Sequence, residues 1–178
     1  MLGAIKIPPE EGITFVDGYD GFPAFGIGPG ADIKSPYRMM LPDKLYEFAL
    51  MADIRPESRA GGYLFSVVNP LDTIIQLGVH FSPAIIDTWT ISLIYTDPTL
   101  HSTSQKIASF EVPFTKRWTK FAFKVLTNKV TFYHNCIEME TVQVKREPIE
   151  LIFDSASTLY LAQAGTLLKG SFEVSSKK

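Results

Sequence analysis

A single cysteine among 178 residues excludes an internal disulfide and any zinc site built on several thiolates. Neither sign of charge prevails. The 17 basic residues stand against 19 acidic ones, for a formal charge of -2. That balance argues against wholesale nucleic-acid binding and leaves room for a local basic patch. No apolar run approaches the roughly 20 residues that a membrane-spanning helix needs, so no membrane insertion is expected. Met1-Leu2-Gly3-Ala4-Ile5-Lys6 is too short and too polar for a secretory leader, so the chain is expected to be cytosolic, or a mature or excised piece of a secreted protein. No Asn stands in a glycosylation sequon, because Asn69 precedes Pro70, and Asn128 and Asn135 lack Ser or Thr two positions on. Repeats, low-complexity stretches and linkers are also missing, which predicts one domain over 1–178 with a loosely ordered lead-in at 1–12.

What is present is apolar and aromatic. With 46% hydrophobic residues, 13 Phe and 7 Tyr, the chain can build a large core. Its clearest local pattern runs from Trp118 to Cys136. Phe121, Phe123 and Val125 alternate with Lys120, Ala122 and Lys124, the period of a half-buried strand. Thr127-Asn128-Lys129 supplies a turn, with Asn tolerating the left-handed backbone a tight hairpin needs. Val130, Phe132 and His134 then alternate with Thr131, Tyr133 and Asn135 in the returning strand.

Strands are predicted at 13–16, 23–27, 46–55, 62–68, 73–81, 89–95, 106–112, 118–126, 130–136, 138–143, 150–153, 158–162 and 170–174. Gly28-Pro29-Gly30, Ala60-Gly61-Gly62, Asn69-Pro70 and Asp97-Pro98 punctuate them. Many short strands with turn residues between them suggest an all-β sandwich or jelly roll. Residues 42–54 also fit a helix, with Leu45, Phe48, Ala49 and Ala52 on one face. The company of the other elements favours strand.

No catalytic constellation emerges. His80, His101 and His134 fall on different predicted elements and match no ligand or triad spacing. Glu138-Met139-Glu140 would set two carboxylates on one face of a strand, the arrangement a jelly-roll glycosidase could use, but a surface pair is the plainer account. Asp17, Asp20, Asp32, Asp87 and Asp97 fit no known calcium-loop spacing. No catalytic residue, metal or cofactor is therefore expected. The basic residues are more suggestive. Lys116 and Arg117 precede Trp118, Lys120 and Lys124 share the outward side of one strand, Lys129 lies at the hairpin end, and Lys145 and Arg146 form a further pair. Such a face could attract a sulfated polysaccharide, although exposed Lys also serves solubility and edge protection. Nearby Glu111, Glu138 and Glu140 would dilute it.

Several stretches, in order, resemble the laminin-G-like, thrombospondin-N-terminal-like domain of the multiplexin collagens (types XV and XVIII). They are Phe48-Ala49-Leu50-Met51-Ala52-Asp53-Ile54-Arg55-Pro56, Gly62-Tyr63-Leu64-Phe65-Ser66, Gln76-Leu77-Gly78-Val79, Ile91-Ser92-Leu93-Ile94-Tyr95-Thr96-Asp97-Pro98 and Ala108-Ser109-Phe110. Trp118-Thr119-Lys120-Phe121-Ala122-Phe123, Phe132-Tyr133-His134-Asn135-Cys136, Leu159-Tyr160-Leu161-Ala162-Gln163-Ala164-Gly165 and Gly170-Ser171-Phe172-Glu173-Val174 complete the set. Ala162-Gln163-Ala164-Gly165 is its most distinctive part. The resemblance implies a two-sheet antiparallel jelly-roll sandwich of concanavalin-A/laminin-G type, with strand at 48–54. It implies a secreted, non-enzymatic matrix module beside a trimerising collagenous region, the isolated domain being monomeric. Its partners would be heparan-sulfate-like glycans or matrix proteins. The alternative is a lectin-like or other thrombospondin- or laminin-type adhesion module. With no Gly-X-Y repeat, the chain would be a fragment of such a collagen. Related thrombospondin modules pair the cysteine at this hairpin end, whereas Cys136 has no partner in this chain. A buried Cys136 would read as a core residue, and an exposed one as a thiol whose partner lies on another chain.

Overall fold

The computed structural model describes residues 11–168, 170–172 and 174–177. The expected lead-in at 1–12 therefore lies mostly outside the described residues. In chain order the strands are β1 (Ile13–Asp17), β2 (Pro23–Ile27), β3 (Ile33–Pro36), β4 (Lys44–Leu45), β5 (Phe48–Pro56), β6 (Gly62–Val68), β7 (Ile75–Phe81) and β8 (Thr88–Tyr95). They continue as β9 (Lys106–Pro113), β10 (Thr119–Val125), β11 (Lys129–His134), β12 (Ile137–Gln143), β13 (Leu151–Ile152), β14 (Thr158–Leu161) and β15 (Val174–Lys177). A 3₁₀ turn at Tyr37–Met39 and a short helix α1 (Gly165–Leu168) are the only other regular elements among the described residues.

All pairings are antiparallel. A seven-stranded sheet runs β1-β2-β15-β5-β10-β11-β12, a six-stranded sheet runs β3-β14-β6-β7-β8-β9, and β13 with β4 closes one end. Period-two alternation explains the layers. On β10, Thr119, Phe121, Phe123 and Val125 are buried while Lys120 and Lys124 are exposed. The same alternation on β9 buries Ala108, Phe110 and Val112. Between the sheets Phe81 meets Trp89 and Phe172 at 4.9 Å, and Phe110 stacks on Phe132 at 4.9 Å. Each buried aromatic of this kind contributes about 1.5–3 kcal/mol of transfer free energy.

The sequence expectation of a two-sheet β sandwich holds, with local differences. Within residues 42–54 the chain forms strand at 44–45 (β4) and from Phe48 onward (β5), separated by Tyr46-Glu47, and no helix. Backbone pairing of β5 with β10 and of β4 with β13, which buries Leu45 and Ile54, outweighs their helix propensity. The expected strand at 170–174 is displaced to β15, and β3 escapes prediction because Ile-Lys-Ser-Pro is short, polar and ends on proline.

The hairpin turns are also exchanged. Leu126 N–H donates to the Lys129 carbonyl at 2.9 Å, yet Asn128 keeps a negative φ. The left-handed residues are Asn135 (φ 50) and Cys136 (φ 66), consecutive in the β11–β12 connection, where His134 pairs with Ile137. Two successive positive φ values make a type I′ turn, the one matched to strand twist. Asn135 anchors it, accepting the Lys120 N–H at 3.0 Å and donating its own N–H to the Lys120 carbonyl at 2.8 Å. Cys136 is thus a turn residue, not the last strand residue.

The outer face of the six-stranded sheet carries a second apolar cluster of Val68, Ile75, Ile94, Tyr160 and Ala164, covered by Tyr63 and Leu168. The Ala162-Gln163-Ala164-Gly165 stretch builds this cover. Ala162, at φ 56, links Leu64 and Phe172 by backbone hydrogen bonds, and the Gln163 carbonyl accepts from the Ser66 hydroxyl at 2.8 Å.

His80 lies on this face, its ring edge-on to Tyr63 at 4.7 Å. Burial, reinforced by Lys106, pushes its imidazole down to about 4. The unfolded chain, titrating near the ordinary 6.5, then binds a proton that the folded chain refuses. Stability should be full above pH about 6.5, fall as pH drops, and level off near pH 4, a loss of about 2–3 kcal/mol after solvent discount. Urea midpoints at pH 7.5 and 4.5 should show this fall in the wild type, and a distinctly smaller one in His80→Gln. An equal fall in both would remove His80 as its source.

Candidate functional site

The strand ends of the seven-stranded sheet bring together groups far apart in sequence. The chain crosses from β9 to β10 through Thr115-Lys116-Arg117-Trp118, placing Arg117 and Trp118 over the end of β5, where Arg55 stands. The guanidinium of Arg55 lies 5.5 Å from the Trp118 ring. The Lys120 ammonium lies 5.4 Å from the Tyr19 ring, and its hydrogen bond to the Tyr19 hydroxyl holds it above the usual lysine range. With Asp53, Asn135 and Cys136, these residues enclose a cleft of about 570 Å³. Arg55 is steadied by Glu57 at 3.1 Å and by the Ser175 hydroxyl at 3.4 Å. Two aromatic residues and three cations line one space, with Asp53 the only carboxylate in its wall among the described residues. Such a site can stack planar or sugar-ring surfaces and attract anions.

The seven basic residues singled out from sequence separate into groups. Arg117 and Lys120 line the cleft. Lys124 and Lys129 share the outward face with Lys120, as the register Lys124↔Thr131 requires, and Lys124 lies about 13 Å along the strand from Lys120. Lys116 is exposed on the crossing loop. Lys145 lies at the opposite end of the sandwich, paired with Glu147 at 2.6 Å.

Arg146 is a correction. It is 3% exposed. Its guanidinium donates to the carbonyls of Leu126 (3.0 Å), Tyr46 (2.6 Å) and Ile149 (2.6 Å) and to the Tyr95 hydroxyl (3.0 Å). Stacked 4.7 Å from the Tyr95 ring, it ties three loops at the closed end and offers nothing to a surface ligand.

The carboxylates expected to dilute the patch are dispersed. Glu111 is on β9 of the other sheet. A bulge on β12 sets Tyr133 against Glu138 but Phe132 against Glu140, so Met139 is the extra residue. Partners across a pair share a face, which puts the two glutamates on opposite sides. The paired-carboxylate arrangement does not form. Glu138 instead accepts the Tyr133 hydroxyl at 3.2 Å. The histidines stay apart, and among the described residues no group of three or more His, Cys, Asp or Glu is placed to hold a metal ion. Cys136 is exposed. Sequence reasoning missed Tyr19, Arg55 and Trp118 as members of the site. The available signal was a tryptophan directly after Lys116-Arg117, but its meeting with Tyr19 and Arg55 depends on strand pairing.

The chain is 31% identical over 167 residues, 93% of its length, to the human collagen alpha-1(XVIII) chain. It is thus similar to a segment of a multiplexin collagen. It spans 10% of that collagen's length. No family model matches the chain. Among solved structures, domain 4 of an extracellular arabinanase from Geobacillus stearothermophilus, in complex with arabinotriose, superposes with a TM-score of 0.58 at 16% identity, covering 97% of this chain and 77% of that one. A heptameric pentraxin from Limulus polyphemus gives 0.56 at 14% identity, over 75% of this chain and 63% of that one. Domains LG4-5 of the mouse laminin alpha1 chain give 0.51 at 11%, over 83% and 38%. These structures share the jelly-roll fold with this chain.

Proposed function

We propose that this chain is a non-enzymatic, secreted matrix module, one domain over 1–178 of a multiplexin-type collagen, that docks an anionic, heparan-sulfate-like glycan in the cleft of Tyr19, Arg55, Arg117, Trp118 and Lys120. The observation that carries this is the convergence of three cations and two aromatic rings on one open cleft. Lys116 extends the positive surface beside it and Lys124 lies about 13 Å along the strand, while Lys129, opposite Leu126 at the far end of the hairpin, and Lys145 lie beyond its reach. Similarity to a collagen chain supports the matrix location. In the parent protein the collagenous region supplies trimerisation, and the isolated chain should sediment as a monomer.

Retention on immobilised heparin should be lost at lower salt in Arg117→Ala/Lys120→Ala than in the wild type, with affinity down about tenfold, because point-charge contacts are additive and screened. Adding Lys116→Ala and Lys124→Ala should lower it further. Unchanged elution would sink the assignment.

The pairing of Tyr19 with Trp118 favours one second reading, a lectin-like site stacking neutral sugar. Trp118 fluorescence that responds to a neutral oligosaccharide at high salt, but not to heparin at low salt, would select it.

A further inference from the structure

The chain passes from β7 to β8 through an apolar tip. Ile85 and Thr88 exchange both backbone hydrogen bonds at 3.0 Å, which leaves Ile86-Asp87 as a two-residue turn. Of the two, Ile86 alone has a positive φ, 57. Positive φ at the first turn position is the II′ pattern, which glycine ordinarily fills and a β-branched residue adopts only under strain. That strain returns no packing within the chain, because Ile85 and Ile86 are 77% and 84% exposed. Three loops nevertheless hold the tip in place. The Arg59 guanidinium donates to the Ile86 carbonyl and, at 2.6 Å, to the Asp87 carboxylate, and it lies 4.8 Å from the Phe114 ring. Phe114 N–H donates to the Asp87 carbonyl at 2.7 Å, and Ala84 N–H to the Arg59 carbonyl at 2.9 Å. Two adjacent aliphatic side chains thus point outward from a fixed, strained support, the kind of feature that marks a functional contact.

We propose that Ile85 and Ile86 anchor this end of the sandwich peripherally in an anionic phospholipid surface, with Lys116 and Arg117 meeting the head groups. Both cations are exposed and follow Phe114 on the same end. Asp87 and Glu57 are matched there by Arg59 and Arg55, and Glu111 stands lower, level with Thr90. The tip is therefore backed by positive charge, which draws it to an anionic leaflet. Shape favours lipid over protein. A convex tip of two residues covers far less than the roughly 1,200–2,000 Å² of a stable protein interface, whereas a bilayer closes around a small apolar protrusion. The contact spans nothing: among the described residues no helix is long and apolar enough to cross a membrane.

The full chain should be spun with vesicles of phosphatidylcholine alone, or of phosphatidylcholine mixed with phosphatidylserine. It should sediment with the mixed vesicles and far less with the neutral ones. Ile85→Ser/Ile86→Ser should lower the bound-to-free ratio on mixed vesicles about tenfold or more, and leave heparin elution unchanged. Ile86→Gly should also weaken vesicle binding while raising the Tm, since glycine fits the turn, which keeps the test open if the double variant misfolds. No sedimentation of the wild type with mixed vesicles overturns the proposal. So does binding untouched in the folded variants, because charge alone would then hold the protein. Neither result touches the glycan reading, and failure of the wild type to hold heparin leaves the tip standing.

Discussion

Arg146→Ala should unfold this protein at a much lower urea concentration than the wild type. The substitution removes a guanidinium whose Nη1 donates to the Leu126 carbonyl and whose Nη2 shares its two N–H groups among the carbonyls of Tyr46 and Ile149 and the Tyr95 hydroxyl. Arg146 itself is 3% exposed, and each acceptor that its loss leaves buried without a donor costs about 1–3 kcal/mol. Partial relaxation makes a net loss of about 3–5 kcal/mol reasonable, a large share of a typical domain's stability. Arg146→Lys should recover only part of this, because one ammonium cannot span acceptors that a planar fork reaches. Equilibrium unfolding followed by tryptophan fluorescence measures both. A loss below about 1 kcal/mol for Arg146→Ala would mean the closed end is held by other contacts, and would return Arg146 to the list of surface cations. For folded Arg146→Lys, unchanged heparin elution is expected, in contrast to Arg117→Ala/Lys120→Ala.

Gly62→Ala should be comparably damaging for a different reason. Gly62 opens β6 at φ +136, where an L side chain is strained, and its Cβ would lie 2.6 Å from the Ser171 carbonyl, 2.8 Å from the Gly170 carbonyl and 2.9 Å from the Phe172 Cβ. Backbone cannot yield as a flexible side chain can. Conformational strain and overpacking each cost about 1–3 kcal/mol, so about 2–4 kcal/mol is expected in total. Gly21→Ala is the matched control. Gly21 has φ +77 and nothing within 4 Å of the added carbon, so only the conformational part, about 1 kcal/mol, should appear. Equal losses at the two positions would show that packing around Phe172 tolerates the methyl.

Much of the architecture is legible without coordinates because it rests on local alternation. Phe121, Phe123 and Val125 against Lys120, Ala122 and Lys124 specify a two-sided strand wherever that strand goes, and β2 and β6 lie at their expected residues. Turn chemistry is less legible. Asn128 and Asn135 look alike in sequence, and only Asn135 takes the left-handed conformation, because its strands close on each other at that point. The site is less legible still. Tyr19, Arg55 and Trp118 belong to three separate segments, and nothing local to any of them announces the other two.

The length scale of each interaction divides the two kinds of knowledge. Strand character, the apolar core and the similarity to a multiplexin collagen follow from residues within a few positions of one another, or from their linear order. Burial, partners and faces depend on contacts across tens of residues. Arg146 and Lys145 are neighbours in the chain, yet one is sealed beneath Tyr95 and the other ion-paired in solvent. Glu138 and Glu140, two apart, face opposite ways because one bulge falls between them. In this fold a side chain's period says which way it starts, and the packing of the two sheets says what it meets.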